Sequence, residues 1–271
     1  MSGFSADWLA LREPADARAR ADDLLAELRA ALGERAAILD LGAGTGANAR
    51  HLVPRLGGAH AWTLVDHDPA LLATLQARLP AGVAWRAQQA DLRDLDALPW
   101  PSRGLVTASA LLDLVSVQWM EAMAERCARA GAAALFALTY DGRTSFDPAH
   151  PDDGRVRALM NRHQRGDKGF GPALGPDAVD TAQAAFTSRG YRCRRAPSDW
   201  RLDWADAPLQ AELIDGWADA AIDLSPADAA RIDAWRDARL QAAGTSRLTV
   251  GHADLLAVPP AVPPMAESSQ S

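Results

Sequence analysis

The sequence predicts an α/β protein: a doubly wound, mostly parallel sheet of seven strands with helices on both faces and an inserted helical pair near the last strand. Two observations predict this fold. Between residues 36 and 138, five short apolar runs alternate with segments of helical periodicity, and this alternation is typical of parallel sheets. The first apolar run also ends directly in a glycine-rich turn, Gly42 to Gly46, as the first strand–helix connection of such sheets often does.

The composition is that of an ordinary globular protein. The chain has 271 residues, of which 48% are hydrophobic and 23% charged, and this excludes collagen-like, coiled-coil, disulfide-scaffold and disordered classes. A net charge of −7 disfavours general binding to nucleic acid, because such binding needs a cationic surface. Cys127 and Cys193 lack metal or redox spacing. Since neither a signal peptide nor an apolar run of about 20 residues is found, we expect a cytoplasmic protein without a membrane segment.

The elements of the first half follow from local patterns. Four leucines between residues 24 and 32 share one face, so we expect a helix from Asp16 to Leu32 within an N-terminal helical segment, residues 1–35. Pro69 is at a tolerated first-turn position of a later helix. Strands are expected at 36–41, 62–65, 83–87, 105–108 and 132–138, and helices from about residue 45, at 69–79 and at 115–129.

The pattern changes after residue 138. Residues 139–175 are rich in Gly, Asp, Pro and Arg, and because so long a loop is usually functional, we predict a lid over the substrate. A pair of helices is expected at 206–243, inside a main domain of residues 36–258, and 259–271 is expected to be a disordered tail. The helices of this half are expected at 155–165, 176–189, 208–221 and 226–242, and its strands at 191–195 and 248–258.

Three carboxylates accompany the strand ends near the glycine turn. Asp40 lies immediately before the turn, Asp66 ends the second strand, and Asp91 follows the third. The carboxyl ends of parallel strands meet at the edge where open α/β sheets bind ligands, so we expect the three acids around one ligand. The turn also fits the Gly-x-Gly-x-x-Ala form of the dinucleotide-binding pattern, and that alternative stays open.

With these acids, residues 36–138 resemble the class I S-adenosylmethionine (SAM)-dependent methyltransferases. The resemblance implies that SAM is the cofactor. It implies that Gly42, Gly44 and Gly46 pass beneath the amino-acid end of SAM. Asp40 would reach the ammonium group of SAM, and Ser109 would lie near its methionine moiety.

The resemblance also implies contacts with the adenosine end of SAM. Asp66 would accept hydrogen bonds from both ribose hydroxyls, and His67 would flank the adenine. Asp91 would accept a hydrogen bond from the adenine amino group, while Leu92 packs against the ring. Acids at the positions of Asp40 and Asp91 are unusual in nicotinamide enzymes, which favours the methyltransferase interpretation.

Methyl transfer from SAM needs little acid–base catalysis, because the sulfonium group is already a good leaving group and positioning of the reactants supplies much of the rate. A base is needed only for an acceptor that must lose a proton. Asp113 after the fourth strand, and Tyr140 and Arg143 after the fifth, are the candidate catalytic residues. No metal site is predicted, since His67 and its neighbour Asp68 have no third ligand nearby in sequence.

The predicted function is transfer of the SAM methyl group to an oxygen, nitrogen or carbon atom of a small molecule. The net negative charge and the lid favour a small acceptor over nucleic acid. The inserted helices depart from the tight hairpin that many class I methyltransferases have at this place, and their apolar stripe predicts packing on the sheet or, in a homodimer, on a second subunit. Two alternatives stay open: an NAD(P)-dependent oxidoreductase, and a non-catalytic SAM-binding protein.

Overall fold

A computed structural model describes residues 5–260, so most of the predicted tail, residues 261–271, lies outside the described residues. The described chain forms one mixed, mostly parallel sheet with helices on both faces, which confirms the predicted fold class. The strands are β1 Ala37–Leu41, β2 Ala61–Asp66, β3 Ala84–Gln89, β4 Leu105–Ser109, β5 Ala133–Asp147, β6 Arg192–Pro197, β7 Trp200–Leu202 and β8 Arg247–Val258.

The sheet has the order β3-β2-β1-β4-β5-β8-β6, and β7 also pairs with β8. Strands β1 to β5 are joined by parallel pairings, whereas β8 runs antiparallel to β5, β6 and β7. The strand beyond the seven predicted is β7, whose three residues are too few for a periodic pattern. The strand order reverses between β1 and β4, and sheets of this kind bind ligands at the carboxyl ends of such strands.

Helices cover both faces because alternate strand residues point to opposite sides. Leu39 and Leu41 of β1 face one core cluster, and Ile38 faces another. None of the helices within residues 5–260 has the length and apolar character needed to cross a membrane. The helices are α1 Ala6–Ala19, α2 Leu25–Leu32, α3 Ala47–Leu56, α4 Pro69–Ala73, α5 Leu75–Arg78, α6 Val117–Ala130, α7 Asp153–Gln164, α8 Ala178–Thr187, α9 Ala207–Leu224 and α10 Ala229–Ala242.

The prediction of one continuous helix over residues 16–32 is wrong. The helix is interrupted at residues 20–24, between α1 and α2. Arg20 leaves the helical conformation with φ −55° and ψ 139°, and the next backbone N–H, that of Ala21, donates to Asp254 Oδ2 at 3.0 Å. A hydrogen bond to a distant strand therefore replaces the helical one.

The predicted lid, residues 139–175, is not a loop throughout. Its first part continues β5 to Asp147, because residues 144–147 pair with residues 247–250 of β8. The rest contains α7 and a turn at residues 166–172. A closing motion of this segment stays a prediction.

The helices α9 and α10 lie between β7 and β8 in the chain, and with α7 they pack against β5, β7 and β8. Phe146 contacts Trp217 and Trp235, each with ring centroids 6.1 Å away. Ile214 of the predicted apolar stripe is buried in the same cluster, whereas Trp204 is 71% exposed. A homodimer through these helices stays a prediction.

Candidate functional site

The glycine turn leaves β1 and enters α3 through three residues with positive φ: Gly42 at 64°, Gly44 at 53° and Gly46 at 83°. Glycine is needed most plainly at Gly46, where a Cβ would lie 2.7 Å from Leu75 Cδ2. Side chains at such positions would be strained and would block close approach to the main chain. The turn therefore presents bare backbone at the carboxyl end of β1.

Asp66, the last residue of β2, is bound directly to this turn. Its Oδ2 accepts a hydrogen bond from the Gly44 N–H at 2.8 Å, and its Oδ1 accepts one from the Asp68 N–H at 3.0 Å. The exposed ring of His67 lies beside it, with Nδ1 3.2 Å from Oδ1. Because each carboxylate oxygen has two lone pairs, Asp66 can still accept from further donors.

Asp40 is fully buried beneath the turn. Asn48, in the first turn of α3, donates from Nδ2 to Asp40 Oδ1 at 2.7 Å and to Thr107 Oγ1 at 3.1 Å. Asp40 Oδ2 has no hydrogen-bond partner among residues 5–260. Burial raises the pKa of Asp40 to about 7, although the Asn48 hydrogen bond and the charge of Arg20 oppose this. A buried carboxyl oxygen without a donor is costly, so this atom favours a proton or a cationic ligand group.

A buried arginine from the N-terminal segment joins the same cluster. Arg20 Nη1 donates to Asn48 Oδ1 at 2.9 Å, and Arg20 Nε lies 3.6 Å from Asp254 Oδ2, with the two side chains 5% and 3% exposed. Asp254 also accepts from the backbone N–H groups of Ala21 at 3.0 Å and Leu138 at 2.8 Å. These bonds fasten the segment after α1 to β5 and β8, next to the glycine turn.

A cavity of about 180 Å³ lies between the N-terminal segment and the start of α3. Arg20, Asn48 and Ser109 line it, so the predicted Ser109 faces the same space as the buried arginine. The first helix also lies on the turn itself, since a Cβ on Gly44 would be 3.1 Å from Leu9 Cδ1. The N-terminal segment is thus a wall of the site.

Asp91 and Leu92 follow β3 and differ in their surroundings. Asp91 is exposed and accepts from the Nε of Arg93 at 2.8 Å and from its backbone N–H at 2.9 Å, and these bonds lower the pKa of Asp91. Leu92 is buried, and its carbonyl accepts from the Trp119 indole N–H at 2.7 Å. A Cβ on Gly42 would lie 3.9 Å from Leu92 Cδ1. Leu92 therefore adjoins the glycine turn, whereas Asp91 is engaged by an arginine.

The structure separates the three candidate catalytic residues by environment. Asp113 is buried in the turn after β4, and burial raises its pKa to about 6. Tyr140 is buried, and its hydroxyl donates to Asn161 Oδ1 at 2.7 Å. Burial raises the pKa of Tyr140, and the charges of Asp141 and Asp113 add to the rise. Arg143 is 61% exposed and forms an ion pair with Asp199 at 2.7 Å.

Two residues with side chains adopt the left-handed conformation near this edge of the sheet: Ala110 with φ 51° and Leu138 with φ 53°. The Ala110 N–H donates to the Ala137 carbonyl at 2.9 Å, and the Leu138 N–H donates to Asp254. Such backbone strain costs about 1–3 kcal/mol per residue and clusters at functional sites. The strained residue Ala110 follows Ser109, and Leu138 is bound to Asp254. The strained backbone therefore adjoins the cavity beside the glycine turn.

The match to known proteins agrees with this geometry. Residues 38–132 match the family described as a methyltransferase domain. Over this segment, about a third of the chain, the protein has a methyltransferase domain of the class I, SAM-dependent type. Domains of this class take their methyl group from SAM, which is therefore the cofactor. The match thus favours SAM over the nicotinamide cofactor of the alternative interpretation.

The solved structures that this chain is similar to have little sequence in common with it. The YcgJ protein of Bacillus subtilis is 14% identical, with 89% of this chain and 100% of that chain covered and a TM-score of 0.51. A candidate methyltransferase of Bacillus halodurans is 12% identical, with 87% and 96% covered and a TM-score of 0.50. The cyclopropane synthase MmaA2 of Mycobacterium tuberculosis is 14% identical, with 87% and 83% covered and a TM-score of 0.46. No curated protein matches the sequence.

Sequence patterns did not predict three residues near the glycine turn: Arg20, Asn48 and Asp254. Asn48 had a usable signal, because it lies in the first turn of the helix that follows the glycine turn. Arg20 and Asp254 had none, because their contact joins the two ends of the chain. Among the described residues, no group of three or more His, Cys, Asp or Glu side chains is arranged to hold a metal ion.

Proposed function

We propose that this chain is a methyltransferase that transfers the methyl group of SAM to a small-molecule acceptor. The observation that carries the proposal is the meeting of two carboxylates at one glycine turn. Asp66 binds the Gly44 N–H, and Asp40 lies beneath the turn with one oxygen unpartnered. SAM presents a ribose diol and an ammonium group, the two kinds of donor that these carboxylates would accept. When bound, SAM supplies an activated methyl group, and the chain binds and orients it.

The amino-acid end of SAM is assigned to the glycine turn, with Gly42, Gly44 and Gly46 beneath it. Asp40 Oδ2 suits an ammonium group, because a buried acceptor without a donor gains from a cation. Since burial raises the pKa of Asp40 to about 7, a nearby ammonium would favour its ionised form. Ser109 supports this assignment because it lines the cavity at the start of α3.

The adenosine end of SAM is assigned to the ends of β2 and β3. Asp66 keeps acceptor capacity for the ribose hydroxyls, and His67 flanks it. Leu92 offers an apolar surface beside the turn. Asp91 would exchange its bonds with Arg93 for the adenine amino group, at little cost because the ion pair is exposed.

A small acceptor is supported by what covers the rest of the sheet edge. The first helix lies on the glycine turn, and the turn at residues 166–172 lies against the segment after β4. Such covers exclude water from a reaction. The net charge of −7 also disfavours a nucleic-acid acceptor. The cytoplasmic location remains a prediction.

Asp113 is the residue we assign as general base for an acceptor that loses a proton. A base works best when its pKa is near the working pH, and burial raises that of Asp113 to about 6. Turnover should therefore rise with pH through about 6 as Asp113 ionises. Replacement of Asp113 by Asn should lower kcat by about 10²–10⁴-fold. An unchanged pH profile and kcat in this variant would remove Asp113 from the mechanism. We assign Tyr140 to the same side of the site as Asp113. Arg143 is already neutralised by its ion pairs with Asp141 and Asp199, so we assign it no catalytic role.

The proposal is tested by calorimetric titration with S-adenosylhomocysteine (SAH), the demethylated product. Wild-type protein should bind SAH with micromolar affinity, and Asp66→Ala should bind it at least about tenfold more weakly, a loss of about 1.4 kcal/mol. Asp68→Ala is the matched control. It removes an equal negative charge only two residues from Asp66, and the Asp68 side chain caps α4. Absence of SAH binding by the wild type would refute the proposal.

The remaining alternatives give different outcomes in the same preparation. A stabilisation by NAD(P) without any by SAH would point to an oxidoreductase, against the family match. SAH binding without SAH formation from SAM, across a library of small acids, amines and phenols, would favour a non-catalytic SAM-binding protein.

A further inference from the structure

Lys168 is the single lysine among the 28 basic residues of the chain, and it lies in a well-defined turn. Asp167 Oδ1 accepts from the backbone N–H groups of Gly169 at 2.6 Å and Gly171 at 3.1 Å. Asp167 also pairs with Pro172 across the turn. These bonds hold the backbone on both sides of Lys168, so the lysine projects from a fixed base.

This turn is attached to the segment that carries Asp113. The Leu174 N–H donates to the Val115 carbonyl at 2.8 Å. The Phe170 ring packs edge-on against Trp119, with ring centroids 5.9 Å apart. The turn that carries Lys168 therefore packs beside the segment that carries Asp113.

The ammonium group of Lys168 is partly buried and lacks an anionic partner. Its Nζ lies 3.4 Å from His163 Nδ1, and no carboxylate of residues 5–260 lies within the 4.0 Å of an ion pair with it. Burial, with the charge of Lys168 itself, lowers the pKa of His163. An imidazole is neutral or cationic, so it cannot balance the charge of the ammonium. Burial raises the pKa of Asp113, and the charge of Lys168 opposes that rise.

The other cation that acts on Asp113 is differently placed. Arg12 also opposes the rise that burial gives the pKa of Asp113. Its guanidinium, however, is paired with Asp16 at 3.0 Å and stacks over Trp200 at 4.9 Å. Arg12 is thus already neutralised by this chain. Of these two cations, Lys168 is the one whose charge is left for a ligand.

We propose that Lys168 binds a carboxylate group of the acceptor, so that the substrate of this methyltransferase is a small carboxylic acid. The proposal rests on the proposed function and names its substrate class. A single ammonium balances a single negative charge, which suits a carboxylate better than a phosphate dianion. A carboxylate held at Lys168 directs the remainder of the molecule toward Asp113.

Because the chain has no other lysine, an amine-reactive reagent tests this proposal directly. Trinitrobenzenesulfonate can modify only Lys168 and the N-terminal amine, and peptide mass spectrometry reads the two rates separately. The full chain is first saturated with SAH. The modification rates of Lys168 and the N-terminal amine are then measured in a mixture of acetate, benzoate and 4-hydroxybenzoate. The same rates are measured in a mixture of the corresponding amides at equal ionic strength. When the concentrations of the three carboxylates, each divided by its own Kd, sum to about two, modification of Lys168 should slow about threefold, because about one third of the sites stay free. The amides should not slow it, and the N-terminal amine should react equally in both.

Two variants separate charge from structure. Lys168→Arg keeps the charge, and Lys168→Met keeps the length of the side chain without it. The carboxylate mixture should raise the Tm of the SAH-loaded wild type and of Lys168→Arg, but not that of Lys168→Met, while all three bind SAH equally. If SAH binds normally and the carboxylates neither protect Lys168 nor raise Tm selectively, the inference about Lys168 is overturned and the proposed function stands. If the wild type does not bind SAH, the proposed function itself fails.

Discussion

Gly46 and Gly82 form a matched pair that tests how tightly the glycine turn is packed. Their φ angles are 83° and 82°, so alanine at either position meets the same left-handed strain. That strain costs about 1–2 kcal/mol and is partly offset by about 0.4–1 kcal/mol from the reduced freedom of the unfolded chain. A Cβ at Gly82 meets nothing within 4 Å, whereas a Cβ at Gly46 would lie 2.7 Å from Leu75 Cδ2.

Leu75 is fully buried, so it cannot turn away without disturbing the core around it. Overpacking of this kind costs about 1–3 kcal/mol. We therefore expect Gly46→Ala to lose about 1–3 kcal/mol more free energy of unfolding than Gly82→Ala, measured by urea unfolding of both variants with linear extrapolation. Gly46→Ala should also weaken SAH binding, while Gly82→Ala leaves it unchanged. Equal losses of stability in the two variants would refute the packing argument.

Three further predictions concern buried polar groups. Asp40→Asn removes a carboxyl whose pKa burial raises to about 7. Because a raised pKa means that ionisation opposes folding, the free energy of unfolding of the wild type should fall relative to that of the variant between about pH 4 and 7. Urea titrations of both proteins at each pH measure this difference. Arg20→Met leaves the buried Asp254 carboxylate without its cation and should cost about 3–5 kcal/mol of unfolding free energy. Arg18→Met breaks an exposed ion pair and should cost under about 1 kcal/mol. Tyr140→Phe leaves its amide acceptor without a donor and should cost about 1–3 kcal/mol, read by thermal melting.

Each of these has its own contrary result. Parallel pH profiles for wild type and Asp40→Asn would mean that Asp40 does not titrate between folded and unfolded states. Similar losses of unfolding free energy in Arg20→Met and Arg18→Met would mean that the Arg20–Asp254 ion pair is as solvated as the exposed Arg18–Asp206 ion pair. An unchanged melting temperature in Tyr140→Phe would mean that Asn161 finds another donor.

The sheet could be predicted from sequence because strand and helix periodicities are local properties. The glycine turn and the acids around it were predictable for a related reason: Asp40 and Asp66 each follow a recognisable strand, and the carboxyl ends of parallel strands meet at one edge. The hydrogen bond between Asp66 and the Gly44 N–H shows that the end of β2 and the glycine turn do meet at this edge.

Long-range contacts account for what could not be predicted. Ala21 and Asp254 are 233 positions apart, and no local pattern reveals that a helix is interrupted to make their hydrogen bond. The extension of β5 to Asp147 has the same cause, because its polar sequence becomes a strand only by pairing with β8, as strand formation depends on neighbours more than on intrinsic preference. The pairing of Asp91 with Arg93 is local, since the two residues are two positions apart, but a motif that considers each acid alone does not reveal it.

The N-terminal segment has a larger part in the site than its sequence suggests. Leu9 lies on the glycine turn, and Arg20 lines the adjoining cavity while it is tied to Asn48 and Asp254. A ligand at the glycine turn would therefore contact this segment as well as the sheet. Binding and the ordering of the N-terminal segment should be coupled.

The measurement that tests the central claim most directly is hydrogen–deuterium exchange of the full chain with and without saturating SAH, read by mass spectrometry. If SAM binds at the glycine turn, SAH should slow exchange in peptides that cover residues 42–48, residues 66–68 and the first helix, and leave α9 and α10 unchanged. Unchanged exchange at the glycine turn, with protection confined to other segments, would contradict the claim.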